Sequence, residues 1–178
     1  MKKIISAFVF IFISSFISAQ SLKPFDDGSA VKFIIKNFGI NTAGSFKGLS
    51  GTILYDTINP IASEFDVTVT AATIDTDITA RDNHLRKEEY FVVEKFPDIH
   101  FKSTKVTLTN STDHLYMFGI LTIKGINKEI KFPFTVKSLN NGYLFQGVFT
   151  VNRRDFNLGG RSISLADEVK VDLSIFAR

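Results

Sequence analysis

The sequence predicts an all-β domain of eight antiparallel strands, with one short helix over residues 77–90. Three observations carry this. Apolar and polar residues alternate at period two in three long segments, the pattern of strands with one wet face. Turn residues punctuate the chain at short intervals. The composition is also heavy in Phe, with 19 residues against four Tyr and no Trp, which supplies much apolar area with few polar handles.

The first residues stand apart. Lys2 and Lys3 open the chain, an apolar run from Ile4 to Ile17 is broken only by serines, and Ser18-Ala19-Gln20 places a small residue at the end. This pattern predicts a secretory leader over 1–19, cut after Ala19, and one domain over 20–178. The run is shorter than the roughly 20 residues a membrane span needs, and no later segment is long and apolar enough. A bacterial periplasm or the outside space is the expected location. Without Lys2 and Lys3, the 21 basic side chains fall to 19 against 18 acidic ones. The net charge then gives no support to nucleic-acid binding. The absence of Cys excludes a disulfide framework, a thiolate metal site and a Cys nucleophile. Stability must come from packing and sheet closure.

The strands are justified in chain order. Val31–Ile40 carries Val31, Phe33 and Ile35 on one face. Phe46–Asp56 carries Ile53 and Tyr55. In Ser63–Ala71, Phe65, Val67, Val69 and Ala71 alternate with Glu64, Asp66, Thr68 and Thr70. Asp77–Tyr90 has too few apolar residues for a strand and the charge spacing of a surface helix crossing one end of the sheet. Ile99–Thr109 switches parity between Phe101 and Val106, which predicts a bulge near Ser103-Thr104. Leu115–Ile123 and Tyr143–Val151 are apolar on both registers, so periodicity does not choose their inward face. Glu129–Lys137 alternates cleanly through Ile130, Phe132, Phe134 and Val136. Pro133 sits on its polar register and cannot donate a ladder bond, so the strand is expected to be locally edge-like or bulged. Glu168–Ala177 alternates through Val169, Val171, Leu173 and Ile175. Asn140-Asn141-Gly142 and Lys124-Gly125 mark hairpins.

Eight such strands can form a sandwich or close into a barrel. Gly39, Gly44, Gly48 and Gly51 cluster around the second strand and would let it bend sharply, which favours a barrel. A barrel of this size has an interior just wide enough for side chains or one small ligand.

Several chemistries are missing. His84, His100 and His114 are scattered, so no metal site is expected. Asp75-Thr76-Asp77 opens like a calcium loop, but Ala80 and Arg86 stand where that loop needs Gly and Glu. There is no nucleophile elbow and no phosphate-cradling loop. Asn110-Ser111-Thr112 matches a glycosylation acceptor, a motif common by chance. The densest polar segment runs from Asp75 through Arg86. Capping and salt bridging at a barrel end is its plainer use, and Asp82 with Arg86 forms an i,i+4 pair of favourable orientation. Its sharper use is positive charge from Arg81, Arg86 and His84 offered to a ligand head group. Arg153-Arg154 and Arg161 form a second basic cluster, expected to be a solvated loop paired with Asp155.

Certain residues also carry a resemblance. Ile74-Asp75-Thr76, Arg81-Asp82-x-His84-Leu85-Arg86, Tyr90-Phe91 and Phe96-Pro97-x-Ile99-x-Phe101-x-Ser103 follow at close spacing. Gly119-x-Leu121-Thr122-Ile123-x-Gly125 and Asn152-Arg153-x-Asp155-Phe156 come later, and Phe38-Gly39-Ile40 and Gly44-x-Phe46-x-Gly48-x-x-Gly51 lie upstream. Together they resemble the YceI-like family of secreted lipid (polyisoprenoid)-binding proteins, over about residues 26–176. The resemblance implies an extended eight-stranded antiparallel barrel, lipocalin-like in shape. It also implies an isoprenoid chain, such as a polyprenyl phosphate or quinone tail, held in the barrel, with no catalytic residues, metal or further cofactor. Lys87-Glu88-Glu89 and Val92 depart from the family pattern at the barrel end, where a head group would sit.

The residues expected to line the interior are Phe33, Ile35, Phe46, Phe65, Val67, Val69, Phe101, Leu121, Ile123, Phe132, Phe134, Val136, Phe145 and Phe149, each of which could equally be core filling. Burying a tail gains roughly 0.8 kcal/mol per CH₂, offset by the ordering of the chain. Two rival functions make different predictions. A structural envelope domain would have a filled core. A lipid-acting enzyme would bring Asp82, His84 and Arg86 together at a cavity. Ile34, apolar on an otherwise polar face, points to a partner surface such as a homodimer.

Overall fold

A computed structural model describes residues 19–111 and 114–178. The leader expected over 1–19 lies outside them except for Ala19, as does Thr112 of the glycosylation motif. Among the described residues nine strands form: β1 Gln20–Leu22, β2 Pro24–Asn37, β3 Ile40–Tyr55, β4 Glu64–Asp75, β5 Asp98–Leu108, β6 Leu115–Ile123, β7 Ile126–Leu139, β8 Gly142–Asn152 and β9 Leu165–Ala177. Neighbours are antiparallel, in the order β3-β2-β9-β8-β7-β6-β5-β4, and pairing of β3 with β4 closes the ring. The result is an eight-stranded antiparallel barrel. β1 is a short addition on the far half of β3, where Leu22 faces Ile53.

Closure depends on the bends foreseen in the second strand. The β3–β4 register slips between Lys47 and Ser50. Gly51 beside it has φ +118°, and a Cβ there would strike the Asp66 carbonyl. Only Gly allows that conformation and that approach. Opposite the same bend, the Asp26 carboxylate accepts from the Gly48 and Leu49 amides at 2.9 Å each, holding the corner. The bulge expected near Ser103-Thr104 is present between Ser103 and Lys105. It turns Ser103 Oγ toward the Phe65 amide, which donates to it at 2.8 Å.

Two strand expectations are refined. The strand expected over Val31–Ile40 stops at Asn37, because Phe38 and Gly39 have φ 49° and 76° and form a two-residue turn. Pro133 lies in an unbroken ladder with β6, but the ladder from β7 to β8 ends at Phe134 opposite Gly147. The strand is therefore edge-like on that one side. Below the split, the β8–β9 connection folds back as a 3₁₀ turn, Arg153–Phe156, against β7. The expected helix is shorter than its segment: α1 is Thr79–Leu85, and turns continue to Phe96.

The outer face is largely polar, with Ile34, Phe118, Ile120 and Val148 among its apolar exceptions. Asp66 accepts from His100 Nε2 at 2.7 Å and faces Lys102 at 3.3 Å. Hydrogen bonding from His100 holds its carboxyl below the ordinary carboxylate range. A lowered folded pKa contributes stability at neutral pH that is lost as pH falls through that pKa. The pair is half exposed, so Asp66→Asn is expected to change unfolding free energy at pH 7 by less than about 1 kcal/mol, with the difference shrinking in acid. Urea titrations at pH 7 and pH 3 check this.

Candidate functional site

The interior divides into two halves. Between the β3–β4 loop and the chain termini, aromatic side chains fill the barrel. Phe65 meets Phe145 at 5.3 Å and Phe134 at 5.7 Å, both edge to face, and Tyr55 meets Phe145 at 5.3 Å. Such pairings add to the area they bury. Leu22, Ile53, Met117, Phe132 and Ile175 complete this core. Only a void of about 50 Å³ remains there.

The other half is hollow. A cavity of about 380 Å³ lies beneath α1 and the β8–β9 connection. That is toward the lower end of the roughly 300–1,000 Å³ typical of small-molecule sites. Its wall is mostly small or branched: Val31 and Ile35 of β2, Val69 of β4, Ile99 of β5, Val151 of β8, Val169 and Val171 of β9. Phe33, Phe46 and Phe91 add aromatic faces, with Phe46 5.5 Å from each of the other two rings. Leu121 and Ile123 close the side toward β6. Polar groups line the cavity toward the end that carries α1 and the β8–β9 connection: Asn37, Thr42, Arg81, His84, Ser162 and Ser164, with Thr76 buried behind them.

The expected lining residues fall into three sets. Phe33, Ile35, Phe46, Val69, Leu121 and Ile123 face the large cavity. Phe65, Val67, Phe101, Phe132, Phe134 and Phe145 surround the small void in the filled half. Val136 and Phe149 touch neither and pack against the aromatic core. Val31, Ile74, Ile99, Val151, Val169 and Val171 also line the cavity beyond the expected set, and all but Ile74 and Val151 share a strand face with expected inward residues. The available signal was residue size: the small inward residues lie toward one end of the barrel and the rings toward the other.

The polar cluster separates as well. Asp82 is buried, and its carboxylate accepts from the Thr76 amide and hydroxyl. It locks the start of the helical segment to the end of β4. Arg86 turns away from the cavity. It donates to the Ala72 and Ile74 carbonyls at 2.7 and 2.8 Å and to Asn83 at 3.0 Å, stitching α1 to β4. His84 and Arg81 line the mouth. His84 rests on Tyr90, with its Nε2 3.6 Å from the Glu89 carboxylate. Arg81 Nε and Nη2 donate to Thr76, whereas Nη1 has no protein acceptor among the described residues. Asp82, His84 and Arg86 therefore engage three different partners and do not converge.

Arg153 departs most from expectation. It is buried rather than solvated, and its ion-pair partner is Asp167, not Asp155. Its guanidinium donates to the carbonyls of Leu158, Gly160 and Ala166 and to Asp167, all within 3.0 Å. It thereby pins the segment that walls the cavity. Phe156 is buried in a second cluster with Leu121, Ile123 and Leu158, which backs the wall from the β7–β8 split. Asn152 caps the turn by accepting from the Arg154 amide. Among the described residues, no three His, Asp or Glu side chains are grouped as metal ligands, and no helix is long and apolar enough to cross a membrane.

Three comparisons bear on this architecture. A family model described as the YceI-like domain matches residues 23–177. Protein YceI of Salmonella agona is 35% identical over 136 residues, covering 73% of this chain and 70% of that protein. The crystal structure of BcnA from Burkholderia cenocepacia superposes with a TM-score of 0.79 at 24% identity, covering 84% of this chain and 96% of that one. A polyisoprenoid-binding domain from Saccharophagus degradans, implicated in plant cell wall breakdown, superposes with a TM-score of 0.69 at 15% identity, covering 90% and 98%. At those identities the two structures speak to the fold.

Proposed function

This chain belongs to the YceI-like domain family, and we propose that it is an exported carrier that holds the head-proximal part of an isoprenoid lipid in the hollow half of its barrel. The observation that carries this is the pairing of an apolar cavity of about 380 Å³ with a polar mouth that keeps a guanidinium donor, Arg81 Nη1, free of protein acceptors. Apolar walls with a few convergent polar groups are the general form of a small-molecule site. The polyisoprenoid-binding domain from Saccharophagus degradans, similar in fold, supports the ligand class.

A phosphate- or quinone-type head belongs at Arg81 and His84, with the branched tail against Val171, Phe33 and Ile35. Arg86 belongs to the scaffold. The filled half limits how much tail enters: beyond the cavity, the chain must displace Phe101 or Phe132 or remain outside. The protein holds the lipid and does no chemistry on it, in keeping with the separation of Asp82, His84 and Arg86. Export to a bacterial periplasm or beyond fits the leader pattern in residues 1–19.

Native mass spectrometry of protein from its own host, with titration of short prenols and prenyl phosphates, tests this. Val171→Phe should fill the cavity and weaken tail binding about tenfold or more while unfolding free energy changes by less than about 1.5 kcal/mol. Arg81→Met should weaken the prenyl phosphate and leave the prenol unchanged. A barrel that takes neither ligand overturns the reading.

A further inference from the structure

We propose that the rim of the cavity mouth docks on a lipid bilayer, through the adjoining Phe38-Gly39 turn and Ile163 loop. This rests on the lipid-carrier reading for its purpose, but on separate residues for its evidence.

The topology places four connections at the mouth end: the β2–β3 turn, the α1 segment, the β6–β7 turn and the β8–β9 connection. Three of them carry large apolar side chains into water, Ile78 at the start of α1 being the least exposed at 51%. Phe38 is 80% exposed, Ile40 71% and Ile163 fully exposed. They form one patch, because the Phe38 amide donates to the Ser164 carbonyl at 2.8 Å and Ile40 pairs with Asn37 across the turn. Asn37, Ser162 and Ser164, which line the mouth, lie within two residues of these apolar tips. The patch is therefore continuous with the opening.

The turn itself argues that Phe38 is not there for the fold. Both central residues have positive φ, the type I′ geometry whose preferred sequence is Asn-Gly. A bulky side chain in the left-handed region is unfavourable. Phe38 occupies that strained position and buries almost nothing. Strain without a packing return is a mark of function.

A bilayer fits the patch better than a folded partner does. The apolar groups stand on two adjoining connections with nearly their whole side chains in water, which suits insertion among lipid chains. An aromatic ring is at home at the membrane interface. Lys36 and Arg161, both exposed and without an ion pair among the described residues, flank the tips and complement anionic head groups. A protein seated this way would open its cavity toward the membrane, so a tail could pass between them without crossing water.

Flotation with phosphatidylcholine vesicles, with and without phosphatidylglycerol, tests the proposal. The wild-type chain should float with the vesicles, more strongly with the anionic lipid and less strongly at high salt. Phe38→Asn and Ile163→Asn should each reduce binding about tenfold. Phe38→Asn should simultaneously raise the thermal midpoint, since it restores the preferred turn sequence, so lost binding is not lost folding. Ile58, 75% exposed at the opposite end, supplies the control: Ile58→Asn should bind as wild type does.

Rim variants that float like wild type, or an Ile58→Asn variant that loses as much, overturn the proposal. Uptake of a detergent-dispersed prenol by the same variants separates the two readings. Intact uptake with rim-independent flotation sinks the docking surface alone. Rim-dependent flotation with no uptake supports docking while sinking the carrier.

Discussion

Phe156→Ala is expected to lower the unfolding free energy by about 3–5 kcal/mol, the range for deleting a fully buried ring. Phe156 is 1% exposed and sits where the β7–β8 ladder has already ended, behind Leu121 and Ile123. Pro133 ends that ladder, so the wall there is held by side-chain packing rather than by backbone hydrogen bonds. No neighbouring strand can slide in to fill the gap, since β7 remains paired with β6 and β8 with β9. The space left by the ring should therefore persist, and the cost should fall at the upper end of the range. Urea unfolding measures the loss, with an unchanged denaturant slope as the sign that the folded state is intact. Phe38→Ala is the matched comparison, the same residue type at the same end but exposed, and should change stability by less than about 0.5 kcal/mol. Equal losses in the two variants would show that the second apolar cluster does not hold the wall.

Those two Phe residues mark where the sequence stops being readable. Period two identifies which side of a strand faces inward, so β4, β7 and β9 were legible, along with the barrel their glycine-bent neighbour closes. It fails for β6, where Phe118 and Ile120 face outward although they are as apolar as the inward Leu121 and Ile123. Period two also carries no information on depth along the barrel axis. Phe65, Phe132, Phe134 and Phe145 share the inward register with Val69, Val169 and Val171, yet the rings fill one half and the valines leave the other hollow. Phe65, Phe101, Phe132, Phe134, Phe145 and Phe149 thus form a packed floor, whereas Phe33, Phe46 and Phe91 line the cavity. Phe38 and Gly39 read as the end of a strand rather than as a turn because Phe stands where that turn geometry favours Asn. For the polar residues, the limit is that backbone acceptors have no sequence signature. Arg81, Arg86 and Arg153 look alike in composition. What separates them is the carbonyl groups of residues 72–76 and 158–166, brought into reach by the fold.

Arg153→Met should show how much the cavity wall depends on such acceptors. Methionine keeps much of the buried stem but donates nothing. The carbonyls of Leu158, Gly160 and Ala166 would then lose the donor that now satisfies them. An orphaned buried acceptor costs about 1–3 kcal/mol. Asp167 is 39% exposed and can recover water, which removes the penalty of an isolated buried charge. A net loss of about 3 kcal/mol follows, once partial hydration of the three carbonyls at the loop edge is allowed for. Arg153→Lys should recover only part of it, because a single ammonium cannot span acceptors that a planar fork reaches in three directions. The loss should also be local before it is global. Amide exchange at residues 158–165 should quicken while that of the aromatic floor stays slow, since β4 and β7 lie outside the pinned segment. If exchange instead rises uniformly, Arg153 is holding up the barrel as a whole. If neither exchange nor stability moves, the carbonyls it touches were never dependent on it, and the wall of the cavity stands on Phe156 and Leu158 alone.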